Sequence, residues 1–282
     1  MTKAKMPRTV LHTISPDSKG LIAKITNICY SNQLNIVQNN EFVDNYSNFF
    51  FMRTELEGHV DNDKFLRDLD FVLPVGSNRE LRSLKRQRIV ILVSQEAHCL
   101  GELLIKNLYA ELDIDIAVVI SNHDTLRSLV ERFDIPFIFS SHSGLTRIEH
   151  DKNIADKIDF YCPDYIVLAK YMRVFTADFV HRYKNKIINI HHSFLPAFIG
   201  ARPYHQAYDR GVKIIGATAH YVNENLDGGA IIIQDVIPID HSYKPEDMMR
   251  AGRDLEKSVL SRSLYQIATQ RVFIHGNRTI LL

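Results

Sequence analysis

The chain's 282 residues, 45% of them hydrophobic, are enough for two ordinary packed domains or one large one. Lys+Arg at 34 against Asp+Glu at 33 leaves no global field for nucleic acid or an anionic membrane, and no apolar run approaches the length of a bilayer span. Cys29, Cys99 and Cys162 are odd in number and lack metal-type spacing, so neither a disulfide framework nor a metal site is expected, and a reducing, cytoplasmic setting is.

The first eight residues are basic but lack the apolar core of a secretory signal. From Thr9 to Ile14 the residues alternate like a strand, and Ser15–Gly20 reads as a turn, with Gly20 supplying conformational freedom and Asp17 a local cap. Leu21, Ile25 and Ile28 recur at helical spacing. Two strands over Asn35–Val43 and Asn48–Leu56, a short helix over Asp63–Leu69 and a last strand near Phe71 complete a ferredoxin-like βαββαβ order within residues 8–83. The basic run Arg79–Arg88 is expected to be solvated, with residues 84–87 as the linker. This element order and the S-P-D-x-x-G-L-I opening resemble the ACT family of small regulatory domains. That resemblance implies pairing between copies, hence a homo-oligomer (dimer or tetramer), and an amino-acid effector held around Asp17, Gly20 and Leu21.

From Arg88 the pattern changes. Strands at Ile89–Val93, Ile114–Ile120, Pro136–Phe139, Tyr165–Ala169 and Ile187–Ile190 alternate with helices over about Leu100–Leu112, Asp124–Phe133 and Thr176–Tyr183. This predicts a doubly wound, mostly parallel, Rossmann-like α/β sheet over residues 88–282. Ile214–Val222 and Ala230–Ile237 read as an antiparallel extension, followed by a long helix from Pro245 and a closing hairpin about Gly276-Asn277.

The chemistry concentrates where an apolar strand runs out, at I-I-N-I-H-H-S-F-L-P. Asn189, His191 and Ser193 alternate, so an extended backbone points them to one side, at the strand end where such sheets bind ligands. His192 points the other way, which argues against a His-His metal site. A second polar knot follows at His220 and at Asn223–Gly229. An amide, an imidazole and a carboxylate on neighbouring strand ends suit carbonyl chemistry: Asn189 as an oxyanion donor, His191 as donor or acceptor, and Asp227 as orienter and general base. Taken singly, each residue also has a plain structural reading as strand-end cap, core histidine or Asp-Gly turn.

N-I-H-x-S-x-L-P, G-A-T-A-H and L-D-G-G followed by Q-D resemble the folate-dependent formyltransferase family across nearly all of residues 88–282. Members transfer or hydrolyse the formyl group of 10-formyltetrahydrofolate, which is a substrate, so no separate cofactor is implied. The resemblance puts the catalytic trio on Asn189, His191 and Asp227, with His220 and Ser193 in support. It puts folate binding on Met172, Arg173 and Val174, opposite Val222, Asn223, Glu224, Asn225 and Leu226. A glycine-rich loop that cradles an acceptor's phosphate in transferring members is here Ser94–Gly101, where Glu96 would repel a phosphate. His98 in that loop either positions water or caps a helix. The expectation is therefore hydrolysis to formate and tetrahydrofolate, feeding purine biosynthesis, with formyl transfer to an amine as the alternative.

Overall fold

The computed structural model describes residues 6–197 and 203–282, so most of the basic N-terminal segment lies outside the described residues. Two compact units share the chain. The first takes the residues up to Lys85 together with 269–273 and 280–282. Its elements run β1 (Arg8–Pro16), α1 (Leu21–Ser31), β2 (Asn35–Asp44), β3 (Phe49–Glu57), α2 (Asn62–Asp70) and β4 (Asn78–Ser83). The strands form one antiparallel sheet in the order β2-β3-β1-β4. Leu11, Phe50, Met52 and Leu56 from one face of that sheet meet Leu21, Ile25 and Cys29 of α1 and Phe65 and Leu69 of α2. Gly20, at φ 84, supplies the left-handed turn into α1, and Asp61 caps α2 by accepting from the Lys64 N–H.

Two sequence expectations change here. The last strand is not near Phe71, which sits 89% exposed just past α2, but at Asn78–Ser83, paired from Thr9↔Ser83 to Ile14↔Asn78. Part of the basic run taken as solvated linker is therefore strand: its charges line an edge and obscure the alternation that puts Leu81 against the core. Nor do all residues from 88 onward belong to the second unit. On the face opposite the helices, His12 Nε2 lies 2.7 Å from the Gln270 carbonyl oxygen. Arg53 donates from Nε to that same oxygen at 3.0 Å and from Nη2 to the Thr269 oxygen at 3.0 Å. Phe273 stacks on the His12 ring at 4.1 Å. A buried guanidinium needs such acceptors, and this segment provides them.

The second unit, Arg86–Ala268 with 274–279, is built on seven strands. β5 (Gln87–Val93), β6 (Ile114–Ser121), β7 (Phe137–Phe139), β8 (Tyr165–Leu168) and β9 (Ile187–His191) are parallel, while β10 (Ile214–Tyr221) and β11 (Ile231–Pro238) extend the sheet antiparallel. The order β11-β10-β9-β8-β5-β6-β7 reverses direction at β5, as in doubly wound folds. Connecting helices are α3 (His98–Leu108), α4 (Arg127–Glu131), α5 (Arg147–Tyr161), α6 (Ala177–Arg182) and α7 (Pro203–Asp209), with α8 (Pro245–Ala268) following the last strand. The parallel strands are continuous apolar runs, buried along their length; on one face Val90, Leu92, Val118 and Ile120 pack with Ile154 and Ile158 of α5 and Phe179 of α6. Strands β12 (Val272–His275) and β13 (Arg278–Leu281) form the closing hairpin around Gly276.

Candidate active site

The carboxyl ends of β8 and β9 and the chain leaving β10 surround a cavity of about 560 Å³. That is the size of a site for a drug-sized heterocycle. Its walls are Lys170–Phe175 after β8, Asn189–His192 at the end of β9, and Val222–Glu224 with Leu226 and Asp227 after β10.

Antiparallel pairing of β9 with β10 sets His220 directly across from Asn189 and Thr218 across from His191. Asn189 Nδ2 consequently lies 3.2 Å from His220 Nε2. His220 is 1% exposed, and its Nδ1 donates to the Tyr221 carbonyl at 2.8 Å, which leaves Nε2 as the acceptor for the amide. A register shift in the β10–β11 ladder falls between Ala219 and His220, the kind of irregularity that re-aims a side chain beside a site.

Asp227 reaches the same place from a strained turn. Its φ is 55, left-handed for a residue with a side chain. Gly229 is required two residues later, since a Cβ there would fall 1.8 Å from the Tyr221 carbonyl oxygen. So held, Asp227 sets Oδ2 3.3 Å from His191 Nδ1 and Oδ1 3.7 Å from His220 Nε2. Burial pushes this carboxyl up, but the hydrogen bond from His191 and the neighbouring His220 ring outweigh it and hold the group below the ordinary carboxylate range. With Nδ1 of His191 turned to Asp227, its Nε2 is buried in the cavity wall and has no hydrogen-bond partner among the described residues. An ionised carboxylate, a ring nitrogen with a free lone pair and an amide donor thus converge.

The other expected residues divide. Met172, Arg173, Val174, Val222, Asn223, Glu224 and Leu226 all line the cavity; Asn225 does not, and its backbone N–H donates to Asn223 Oδ1 instead. Ser193 is not on the side of Asn189 and His191. Strand β9 ends at His191, alternation stops with it, and Ser193 Oγ donates to the Ala197 oxygen and borders a separate, smaller cavity. His192, expected to point away, also borders the main cavity; burial and the Lys170 charge push its imidazole down to about 4, so it is neutral at physiological pH. His98 opens α3 and is not a wall of the cavity: its Nε2 lies 2.8 Å from Glu256 Oε2. In the first unit Asp17 and Gly20 are exposed, whereas Leu21 is 2% exposed and packs in the core.

Sequence reasoning missed the group around Glu256. His98, Cys99 and Glu256 carry metal-type donor atoms within 4.8 Å of one another. Lys170 Nζ stands 3.1 Å from Glu256, however, and burial pushes the Cys99 thiol up, so a cation and a protonated thiol occupy that donor set. The signal was present: Glu256 falls on the apolar stripe of α8, one position after Leu255 and three before Val259.

A parallel-rich α/β sheet with an amide, an imidazole and a carboxylate at its strand ends suits an enzyme acting on a carbonyl group. The family model described as formyl transferase matches residues 87–264, and the chain belongs to that family. Within it the chain goes with the formyltetrahydrofolate deformylases. It is 70% identical to the formyltetrahydrofolate deformylase of Escherichia coli (strain K12) over 98% of this chain and 99% of that one. The crystal structure of a formyltetrahydrofolate deformylase from Pseudomonas syringae superposes with a TM-score of 0.93 at 38% identity, covering 100% of this chain and 96% of the other. A glycinamide ribonucleotide transformylase from Symbiobacterium toebii gives a TM-score of 0.68 at 28% identity, covering 74% of this chain and all of that one.

Proposed function

We propose that this chain hydrolyses 10-formyltetrahydrofolate to formate and tetrahydrofolate, with Asn189, His191 and Asp227 as the catalytic residues. The observation that carries the assignment is the buried Nε2 of His191, unpartnered among the described residues, backed at Nδ1 by the Asp227 carboxylate and neighboured by Asn189. His191 Nε2 takes a proton from water as its oxygen adds to the formyl carbon. Asn189 donates to the carbonyl oxygen as it becomes an oxyanion, and Asp227 stabilises the imidazolium. Collapse of the tetrahedral adduct breaks the C–N bond as N10 takes the proton back from the His191 imidazolium, and the formic acid released ionises to formate. The sequence reading gave Asp227 two tasks, orienting the ring and accepting a proton. Its low proton affinity favours the first.

The folate lies along Met172–Val174 and Val222–Leu226, where main-chain groups and an apolar wall suit a flat pterin. Water rather than an amine is the acceptor, because the loop after β5 offers Glu96, whose carboxylate is engaged by Arg253 at 3.3 Å, and no glycine cradle for a phosphate. The βαββαβ unit acts as an ACT-like regulatory domain that joins copies into a cytoplasmic homo-oligomer, with any amino-acid effector near Asp17 and Gly20. Formate release from 10-formyltetrahydrofolate, measured with and without candidate amines, tests the central assignment. Release that requires an amine, with the formyl group recovered on it, refutes hydrolysis.

A further inference from the structure

Against the cavity wall lies a charged cluster that the hydrolysis leaves unused. Glu256 is 1% exposed, and both of its oxygens are taken. Oε2 faces His98 Nε2 at 2.8 Å and Lys170 Nζ at 3.1 Å, and Oε1 accepts from the Tyr204 hydroxyl at 2.9 Å. Gly252, one turn earlier on α8, makes room for this: a Cβ there would fall 1.9 Å from the Tyr204 oxygen. Glu96 is the second anion near the ammonium, at 3.9 Å.

Lys170 is the unusual member. It is buried, borders the cavity, and has φ 65, a left-handed conformation that disfavours any residue with a Cβ. Such a backbone persists only where its surroundings hold it. Two residues on, the Met172 N–H donates to Ser94 Oγ at 3.0 Å, and that hydroxyl donates to Asn122 Oδ1 at 2.8 Å. The segment is thereby tied at two points, one ionic and one neutral, just before the residues that face the cavity. A buried ion pair adds little stability over an apolar pair of the same volume, but it admits one arrangement of its partners.

We propose that Glu256 is a positioning residue for substrate binding: through the Lys170 ammonium it fixes the left-handed turn that sets Met172, Arg173 and Val174 against the folate. This rests on the reading that those residues hold the folate. Removing the charge from Glu256 frees the turn, and the substrate must then supply the ordering itself. Because the trio is untouched, the loss falls on KM more than on kcat.

The test measures KM, kcat and Tm on the full-length protein for Glu256→Gln, Lys170→Gln, the double variant Lys170→Met/Glu256→Gln, and Val174→Asp. Glu256→Gln should lower Tm and raise KM by about tenfold with kcat within about threefold of wild type, the pattern of lost uniform binding. The double variant removes both charges, so its Tm should recover while KM stays high. Recovery of KM together with Tm would reduce the cluster to a purely structural role and overturn the proposal. Lys170→Gln leaves the carboxylate its His98 and Tyr204 partners, so it decides the matter if Glu256→Gln does not fold; an unchanged KM there overturns the proposal. Val174→Asp separates the two readings. If it raises KM and Lys170→Gln does not, the positioning role alone fails; if it leaves KM unchanged, the folate placement fails and the positioning role with it.

Discussion

Asp227→Asn keeps the shape of the side chain and removes its charge. The amide oxygen can still accept from His191 Nδ1, now 3.3 Å from Asp227 Oδ2, so ring orientation and folate binding should survive. What disappears is the attraction between the carboxylate and the imidazolium that forms when His191 takes a proton. For unit charges at that separation in an effective dielectric of about 20, Coulomb's law gives about 5 kcal/mol. Each 1.36 kcal/mol is a factor of ten, so this upper figure corresponds to roughly 10³–10⁴ in rate, within the usual range of about 10²–10⁴ for acid–base catalysis. Single-turnover formate release should therefore fall by about 10²–10⁴, while the Kd of a non-hydrolysable folate analogue stays within a few-fold. A variant that turns over within tenfold of wild type would remove Asp227 from the proposed chemistry. An affinity that falls as steeply as the rate would make it a folate ligand instead.

Asn189→Ala should lose one oxyanion donor and slow kcat by about 10²–10³ with little change in analogue Kd; parallel losses in both would show that the amide holds the ground state. Gly229→Ala places a methyl group 1.8 Å from the Tyr221 oxygen, which also accepts from His220. It should cost about 1–3 kcal/mol or more in calorimetric stability, and a wild-type Tm would refute the close approach. Acid should destabilise the fold through Glu256. Burial raises its carboxyl, but the His98 hydrogen bond and the Lys170 charge win and hold it at about 2 rather than 4.5. A carboxyl with a depressed folded-state pKa contributes stability above its ordinary value and loses it as pH falls through the folded one. Tm should therefore drop between pH 4.5 and 2 more steeply in wild type than in Glu256→Gln, and equal slopes would contradict the assignment.

The strand ending in Asn189 and His191 was legible because buried parallel strands are continuous apolar runs and their polar ends stand out. Asp227-Gly228-Gly229 was legible as a polar knot, but its strain was not: only the approach of Tyr221 explains why a glycine must stand at 229. Ser193 shows the limit of alternation, which holds only while the backbone remains extended. At β4 the reverse occurred, since an edge strand rich in Arg and Glu carries the signature of a solvated linker. Helix α5 was readable and unread; Thr146 and Glu149 form a capping box that announces its start. Glu256 looked like one more helical charge because its partners come from Lys170 and His98, 86 and 158 residues away in sequence.

The segment at 269–273 sets the order in which the molecule can be finished. Chains emerge amino end first, so the sheet carrying His12 and Arg53 is synthesised before any of β5–β11. Its acceptors, Gln270 and Thr269, lie 258 and 216 residues further on from those side chains. Throughout that interval one face of the nascent sheet lacks its cover: His12 and Arg53 there hydrate readily, but Val10 and Phe51 on the same face are apolar and are buried in the finished fold. The first sheet to appear is thus among the last to be completed, and a ribosome stalled before residue 269 would leave Val10 and Phe51 exposed beside the hydrated His12 and Arg53.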